Sequence, residues 1–172
     1  MAHPIVLRPL QPSDEDDLYA LVKKNQTQLI QWLDWAAMIH DQSDFSQFFH
    51  YYQSQVKQQL MEVQVICHQK QVIGIVEAHE IDYSSQSAYL SYWLDSNFQQ
   101  KGIMSQAISK FLAHLYSSCS LKHFFLIINC QNTRSIRLAQ KLGFYLEGYA
   151  SELQFEAQFL PDSYFFHLNY QP

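Results

Sequence analysis

Gln99-Gln100-Lys101-Gly102-Ile103-Met104-Ser105 brings together backbone and side-chain groups suited to holding an anion. It follows an aromatic, β-prone run, Tyr89-Leu90-Ser91-Tyr92-Trp93-Leu94. It precedes a segment in which Met104, Ala107, Ile108, Phe111, Leu112 and Leu115 recur at spacings of three and four, predicting a helix from about Gly102 to Tyr116. A helix start leaves backbone N–H groups without intrahelical partners and carries about half a positive charge. Gly102, with no Cβ, permits close approach of a ligand to the backbone. Lys101 adds a formal charge, and Gln99, Gln100 and Ser105 add neutral hydrogen-bonding groups. A diphosphate fits this description; so does an ordinary turn before a helix.

A second constellation lies beyond one strand, in Asn132-Thr133-Arg134-Ser135-Ile136-Arg137-Leu138-Ala139-Gln140-Lys141-Leu142-Gly143-Phe144. Asn132 is a natural N-cap, Ile136, Ala139 and Leu142 share a face, and Gly143 suits the position just past a helix end. Local rules alone explain a short helix. The two stretches together, Gln-x-x-Gly-x after an aromatic strand and Asn-x-x-Ser…Gly-Phe about 30 residues later, resemble the two signatures of the GNAT N-acetyltransferase superfamily. Met104 stands where the general pattern prefers Gly or Ala, which is similar to the RimL/RimJ-type branch, the ribosomal-protein N-terminal acetyltransferases and their relatives. Leu146-Glu147-Gly148 and the Leu29-x-x-Trp32-Leu33-x-Trp35 grouping also resemble that branch.

The elements that must position these stretches follow in chain order. Ile5 to Leu10 read as a first strand, and Ser13 as the N-cap of a helix whose Asp14, Glu15, Asp16 and Asp17 complement the dipole. Asn25 to Trp35 read as a second short helix and loop. Ser43 is the expected cap of a helix carrying Phe45, Phe48, Phe49, Tyr52, Val56 and Leu60 on its apolar stripe. Glu62 to His68 and Val72 to Ile81 form a hairpin through Gln69-Lys70-Gln71, with Gly74 marking a bulge or a close backbone approach. Lys122 to Asn129 is so continuously apolar that burial on both faces is expected. Phe144 to Tyr149 and Ser163 to Asn169 read as the last strands, around a connection from Ser151 to Pro161.

At 172 residues, with 48% hydrophobic and 15% aromatic residues, the chain is expected to be one domain, residues 1–172, with a substantial core. The net charge of −5, from 11 basic and 16 acidic residues, argues against nucleic acid as the main partner. Cys67, Cys119 and Cys130 form no C-x-x-C pair, and neither a signal-like N-terminus nor an 18-residue apolar run occurs. A soluble protein of the reduced cytoplasm, away from membranes, is the simple reading. His68, His79, His114, His123 and His167 lack metal-ligand spacing, so no metal is expected.

The resemblance implies an α/β (α+β) fold of the acyl-CoA N-acyltransferase type. It consists of a mixed, mostly antiparallel sheet flanked by helices, with a splayed central parallel strand pair. It implies acetyl-CoA as cosubstrate, its diphosphate on the N–H groups of Gln100, Lys101, Gly102, Ile103, Met104 and Ser105, and its pantetheine amides paired with backbone around Trp93 and Leu94. Gln99 and Asn132 complete the cofactor-binding set, and Ser135 is placed to hydrogen-bond the departing sulfur. The family's base falls by ungapped carry-over on Gln154, which cannot take a proton. Glu152 or Glu156 substitutes, a bound water serves, or positioning alone suffices. The acceptor is an amine: a protein N-terminus, a small molecule, or none if the domain only binds acetyl-CoA. A homodimer is implied by resemblance alone.

Overall fold

The computed structural model describes residues 4–149 and 162–172. Its strands are β1 (Val6–Pro9), β2 (Glu62–His68), β3 (Gln71–Asp82), β4 (Ser87–Leu94), β5 (His123–Asn129), β6 (Tyr145–Tyr149) and β7 (Ser163–Asn169). Its helices are α1 (Glu15–Leu29), α2 (Gln42–Lys57), α3 (Ile103–Cys119) and α4 (Thr133–Lys141). The strands form one seven-stranded sheet in the order β1-β2-β3-β4-β5-β7-β6. β1–β2, β2–β3, β5–β7 and β6–β7 are antiparallel, and β4–β5 is parallel, as a strand–helix–strand crossover through α3 requires. The expected α/β class and mixed sheet are present. Contacts divide the chain into two compact units, Met1–Glu80 with Ser91–Phe111, and Ile81–Leu90 with Leu112–Pro172.

In the first unit, burial of α1 and α2 against β2 and β3 supplies the core: Leu18, Val22, Phe45, Phe49, Val63 and Val65 are all buried. The expected cap Ser13 is instead an interior residue of a short 3-10 turn, Pro12–Asp14. Asp14 takes the structural role, accepting the Gln11 N–H at 2.8 Å and the two Arg8 guanidinium nitrogens at 2.8 and 2.6 Å. Burial alone would raise the Asp14 carboxyl, but Arg8 and the Gln11 N–H outweigh it and hold the carboxyl below its ordinary value.

No second helix begins at Asn25. α1 runs through it because the buried amide is satisfied in place, Nδ2 donating to Leu21 O at 2.9 Å and Oδ1 accepting the Ser96 N–H at 3.0 Å. A 3-10 stretch, Asp34–Met38, follows, and Trp35 stacks on Phe48 with ring centroids 4.6 Å apart. α2 is capped by Asp41 rather than Ser43, Asp41 accepting the Asp44 N–H at 3.0 Å. Leu60 lies beyond the end of α2 and is exposed, so the apolar stripe stops short of it.

The β2–β3 turn places Gln69 and Lys70 at positive φ, the geometry of a tight hairpin. Gly74 is the close approach expected from sequence: a Cβ there would stand 2.3 Å from Trp93 O. Any side chain at Gly74 would push β3 off the end of β4.

In the second unit, Asp82 organises the turn before β4, accepting the Ser84 and Ser85 hydroxyls at 2.6 and 2.7 Å. Those bonds lower its carboxyl to about 2. The parallel register runs Ser87↔His123, Ala88↔Phe124 and Tyr89↔Phe125, while β4 continues to Leu94 and β5 to Asn129.

Burial of β5 on both faces is not observed. Its burial alternates, Phe124, Leu126 and Ile128 being buried and Phe125 and Ile127 half-buried. Phe125 instead stacks along the half-open face on Phe165 and His167, at 5.3 and 4.8 Å between centroids. The apolar run reflects an aromatic sheet face as well as a core. That face also joins two histidines far apart in sequence, His123 Nδ1 lying 3.3 Å from His167 Nε2.

Candidate functional site

The loop between β4 and α3 is held from its first residue. Asp95 is fully buried; its N–H donates to Ile73 O at 2.8 Å, and its Oδ2 accepts the Lys24 ammonium at 2.7 Å. Oδ1 caps the short 3-10 turn Ser96–Phe98 by accepting the Asn97 N–H at 3.4 Å. Asn25 of α1 accepts the next N–H, that of Ser96, so two adjacent α1 side chains fix where the loop begins. Burial would raise the Asp95 carboxyl, but Lys24, the Asn97 N–H and Asn25 hold it below its ordinary value.

The loop then turns through two left-handed residues, Gln100 at φ 60° and Gly102 at φ 74°. Such a φ costs an L-residue about 1–2 kcal/mol and costs glycine little, which accounts for Gly102. A Cβ on Gly102 would meet nothing within 4 Å, so the space over the loop is open. The helix ladder starts with Gln106 N–H donating to Gly102 O at 3.1 Å. The N–H groups of Ile103, Met104 and Ser105 therefore precede the first intrahelical bond. Ile103 is buried and anchors the turn, while Met104 and Ser105 are half-buried.

Two side chains expected to reach an anion are engaged within the loop. Gln99 Nε2 donates to Leu94 O at 3.0 Å, and Lys101 Nζ donates to Asn97 O at 2.8 Å while lying 5.5 Å from the Phe98 ring centroid. Gln99 thus braces the loop against the end of β4. What the loop offers an anion is chiefly its backbone at the start of α3. Trp93 and Leu94, the last residues of β4, are both buried.

Replacing Asp95 with asparagine keeps the shape and removes the charge facing Lys24. Lys24 is half-exposed, so the expected loss at neutral pH is modest, about 1 kcal/mol, with a several-fold weaker affinity for any anion on the loop. Because the folded carboxyl lies below its ordinary value of 3.8, its stabilisation is present above that value and is lost as pH falls through the lower folded one. Urea melts at pH 7 and pH 3 check this: the deficit should be seen at the first and shrink at the second.

In the second unit, Asn132 caps α4 as expected, its Oδ1 accepting the Ser135 N–H at 3.2 Å. Ser135 sits in the first turn of α4, half-buried, and Gly143 ends the helix at φ 86°. Glu152, Gln154 and Glu156 lie outside the described residues.

Another carboxyl in the first unit has a sequence signal that motif spacing does not weigh. Glu77 interrupts the apolar run Val72-Ile73-Gly74-Ile75-Val76-Glu77-Ala78 and is buried in β3 opposite Val63. The Tyr52 hydroxyl of α2 donates to its Oε1 at 3.1 Å, while Oε2 has no hydrogen-bond partner among the described residues. Burial pushes the carboxyl up to about 7, against a smaller downward pull from Tyr52. Tyr52 is itself raised well above its ordinary value by burial and by Glu77, so it remains a donor. Tyr52, Trp35, Phe48 and Trp93 help line a cavity of about 20 Å³, roughly the room of one water molecule.

Residues 5–145 match the acetyltransferase (GNAT) domain family. The chain is 29% identical over 147 residues to the ribosomal-protein-serine acetyltransferase of Escherichia coli K12, covering 86% of this chain and 80% of that protein. It is 24% identical over 147 residues to a spermidine N(1)-acetyltransferase of the same organism, covering 86% of this chain and 76% of that protein. A solved structure of RimL, the ribosomal L7/L12 α-N-protein acetyltransferase, in complex with coenzyme A superimposes with a TM-score of 0.86 at 24% identity over 97% of each chain.

Proposed function

The chain belongs to the GNAT acetyltransferase family, acetyl-CoA-dependent N-acetyltransferases, and from that premise we propose that it acetylates a protein N-terminal α-amine in the manner of RimL-like enzymes. The similarity over 86% of this chain to a ribosomal-protein-serine acetyltransferase carries the choice of acceptor. An α-ammonium has a pKa near 8 against about 10.4 for lysine, so it surrenders its proton more readily at neutral pH.

In this reading the cofactor diphosphate lies on the N–H groups around Gly102 and the first turn of α3, where the open space and helix dipole favour it. Backbone at Trp93 and Leu94 pairs with the pantetheine arm. The free amine attacks the thioester carbonyl, an N–H near Leu94 stabilises the oxyanion, and the carbon–sulfur bond breaks as the amide forms. Ser135 donates a hydrogen bond to the departing sulfur. The three cysteines, all thiols in the structure, suit a reducing compartment. No helix among the described residues is long and apolar enough to cross a membrane.

Mass spectrometry of peptides incubated with enzyme and acetyl-CoA tests the acceptor. Free N-terminal serine, alanine and methionine peptides should gain one acetyl group, and the same peptides with blocked N-termini should not. The similarity to a spermidine acetyltransferase supports a second reading, a small-molecule amine acceptor. Acetylation of polyamines with peptides untouched would select it. Acetyl-CoA binding without transfer to any amine would leave a cofactor-binding module.

A further inference from the structure

His123 and His167 are 44 residues apart in the chain and meet because β5 and β7 are antiparallel neighbours in the second unit. His123 pairs across with Asn169 and His167 with Phe125, so the two imidazoles are diagonal neighbours on one face of the sheet. His123 Nδ1 lies 3.3 Å from His167 Nε2. A zinc ion holds imidazole nitrogens at about 2.0–2.1 Å, which sets two ligands of a tetrahedral ion about 3.3–3.4 Å apart. The two nitrogens already stand at that separation, so an ion can enter between them with little movement of either ring.

The far side of His167 is built as well. Its Nδ1 meets the Tyr145 hydroxyl at 2.5 Å and Glu147 Oε1 at 3.3 Å, both from β6. A carboxylate only accepts, so Glu147 keeps a proton on Nδ1 and leaves Nε2 with its lone pair toward His123. A metal-bound histidine is held in this way, its second nitrogen donating to a carboxylate that fixes the tautomer and the ring. The ring is also clamped by stacking on Phe125 at 4.8 Å and by Tyr145 at 5.1 Å between centroids. Stacking alone needs a flat ring at 167, not an imidazole with a partner at each nitrogen.

From this geometry we propose that His123 and His167 bind a divalent transition-metal ion of the zinc class, with Glu147 and Tyr145 as positioning residues and water in the remaining coordination places. Both histidines are half-buried, which leaves room for solvent ligands on this face. Glu147 offsets part of the charge of the ion. Two imidazoles select zinc, nickel or copper over magnesium or calcium, which prefer oxygen. Before metal enters, the His123 Nδ1–H donates to His167 Nε2. The ion takes the place of that proton, which passes through solvent to His123 Nε2, and no other reactant is needed. The site joins β5 to β7, so a bound ion stabilises the fold, whichever amine is the acceptor.

Isothermal titration of zinc chloride into the full chain, prepared without a histidine tag at pH 8, tests the proposal. The three thiols can also take zinc, so the result is read as the difference between wild type and variants. His123→Phe and His167→Phe keep a ring in place, and each should remove one bound equivalent. Glu147→Gln should keep that equivalent and weaken it about 10-fold, the cost of losing the group that orients a ligand. Saturating zinc should raise the Tm of wild type by more than that of either Phe variant, and magnesium should not. Equal zinc stoichiometry in wild type and both Phe variants overturns the proposal, as does a wild type that binds no zinc at millimolar concentration or responds as strongly to magnesium. Unchanged affinity in Glu147→Gln overturns the role given to Glu147. If His167→Phe fails to fold, His123→Phe decides by the same reading.

Discussion

Gly102→Glu should abolish the thermal stabilisation that acetyl-CoA gives to the wild-type protein. At about 100 times its dissociation constant, a ligand that binds only the folded state adds about 2.7 kcal/mol. For a chain of this size that is a rise of roughly 5–10 °C in Tm. Two effects of the substitution must be separated. A side chain at φ 74° strains the backbone whatever it is, which should lower the Tm of the free protein by the equivalent of about 1–2 kcal/mol. The glutamate carboxylate in addition fills the open space over the loop and sets a negative charge where the diphosphate must lie. Gly102→Ala carries the strain and little of the rest. It should melt lower than wild type and keep most of the acetyl-CoA shift, whereas Gly102→Glu should melt lower and shift by less than about 1 °C. An equal shift in wild type and Gly102→Glu would remove the loop from the cofactor site.

What made the loop readable was its brevity. Its glycine, its strand and its helix are neighbours in sequence, and local rules placed all three within a few residues. Strand β2, the β2–β3 hairpin and the Asn132 cap were legible for the same reason. The misreadings share another cause, a distant partner that local rules cannot see. Asn25 looks like a helix break until Ser96 comes to satisfy its amide. Ser13 and Ser43 have good capping chemistry, but Asp41 caps α2, and Ser13 lies inside a turn that Asp14 ties to Arg8 and the Gln11 N–H without capping α1. The β5 run reads as doubly buried until its aromatic face is seen stacked along the sheet on β7. Tyr52 belongs to the apolar stripe of α2 by periodicity, and only the packing of α2 on β3 shows that its hydroxyl serves Glu77.

Glu77→Gln should make the folded protein more stable above pH 7 and leave it nearly unchanged near pH 4. The Glu77 carboxyl lies at about 7 in the fold against an ordinary 4.5, so the folded state binds its proton more tightly than the unfolded chain does. Between those values the unfolded chain has lost the proton and the folded state still holds it, so stability falls as pH rises. The contribution is intact below 4.5 and the deficit is complete once pH passes 7, where it should reach about 3 kcal/mol as an order of magnitude. Glutamine carries no charge to desolvate and can still accept from Tyr52, so it escapes the deficit. Urea denaturation of both proteins at pH 4 and pH 8 measures it, and a difference that is the same at both would show that the carboxyl is not buried as a titrating group. A variant that gains stability at pH 8 has given up a charge that the fold holds at a cost, ionised and desolvated with one oxygen unpartnered among the described residues.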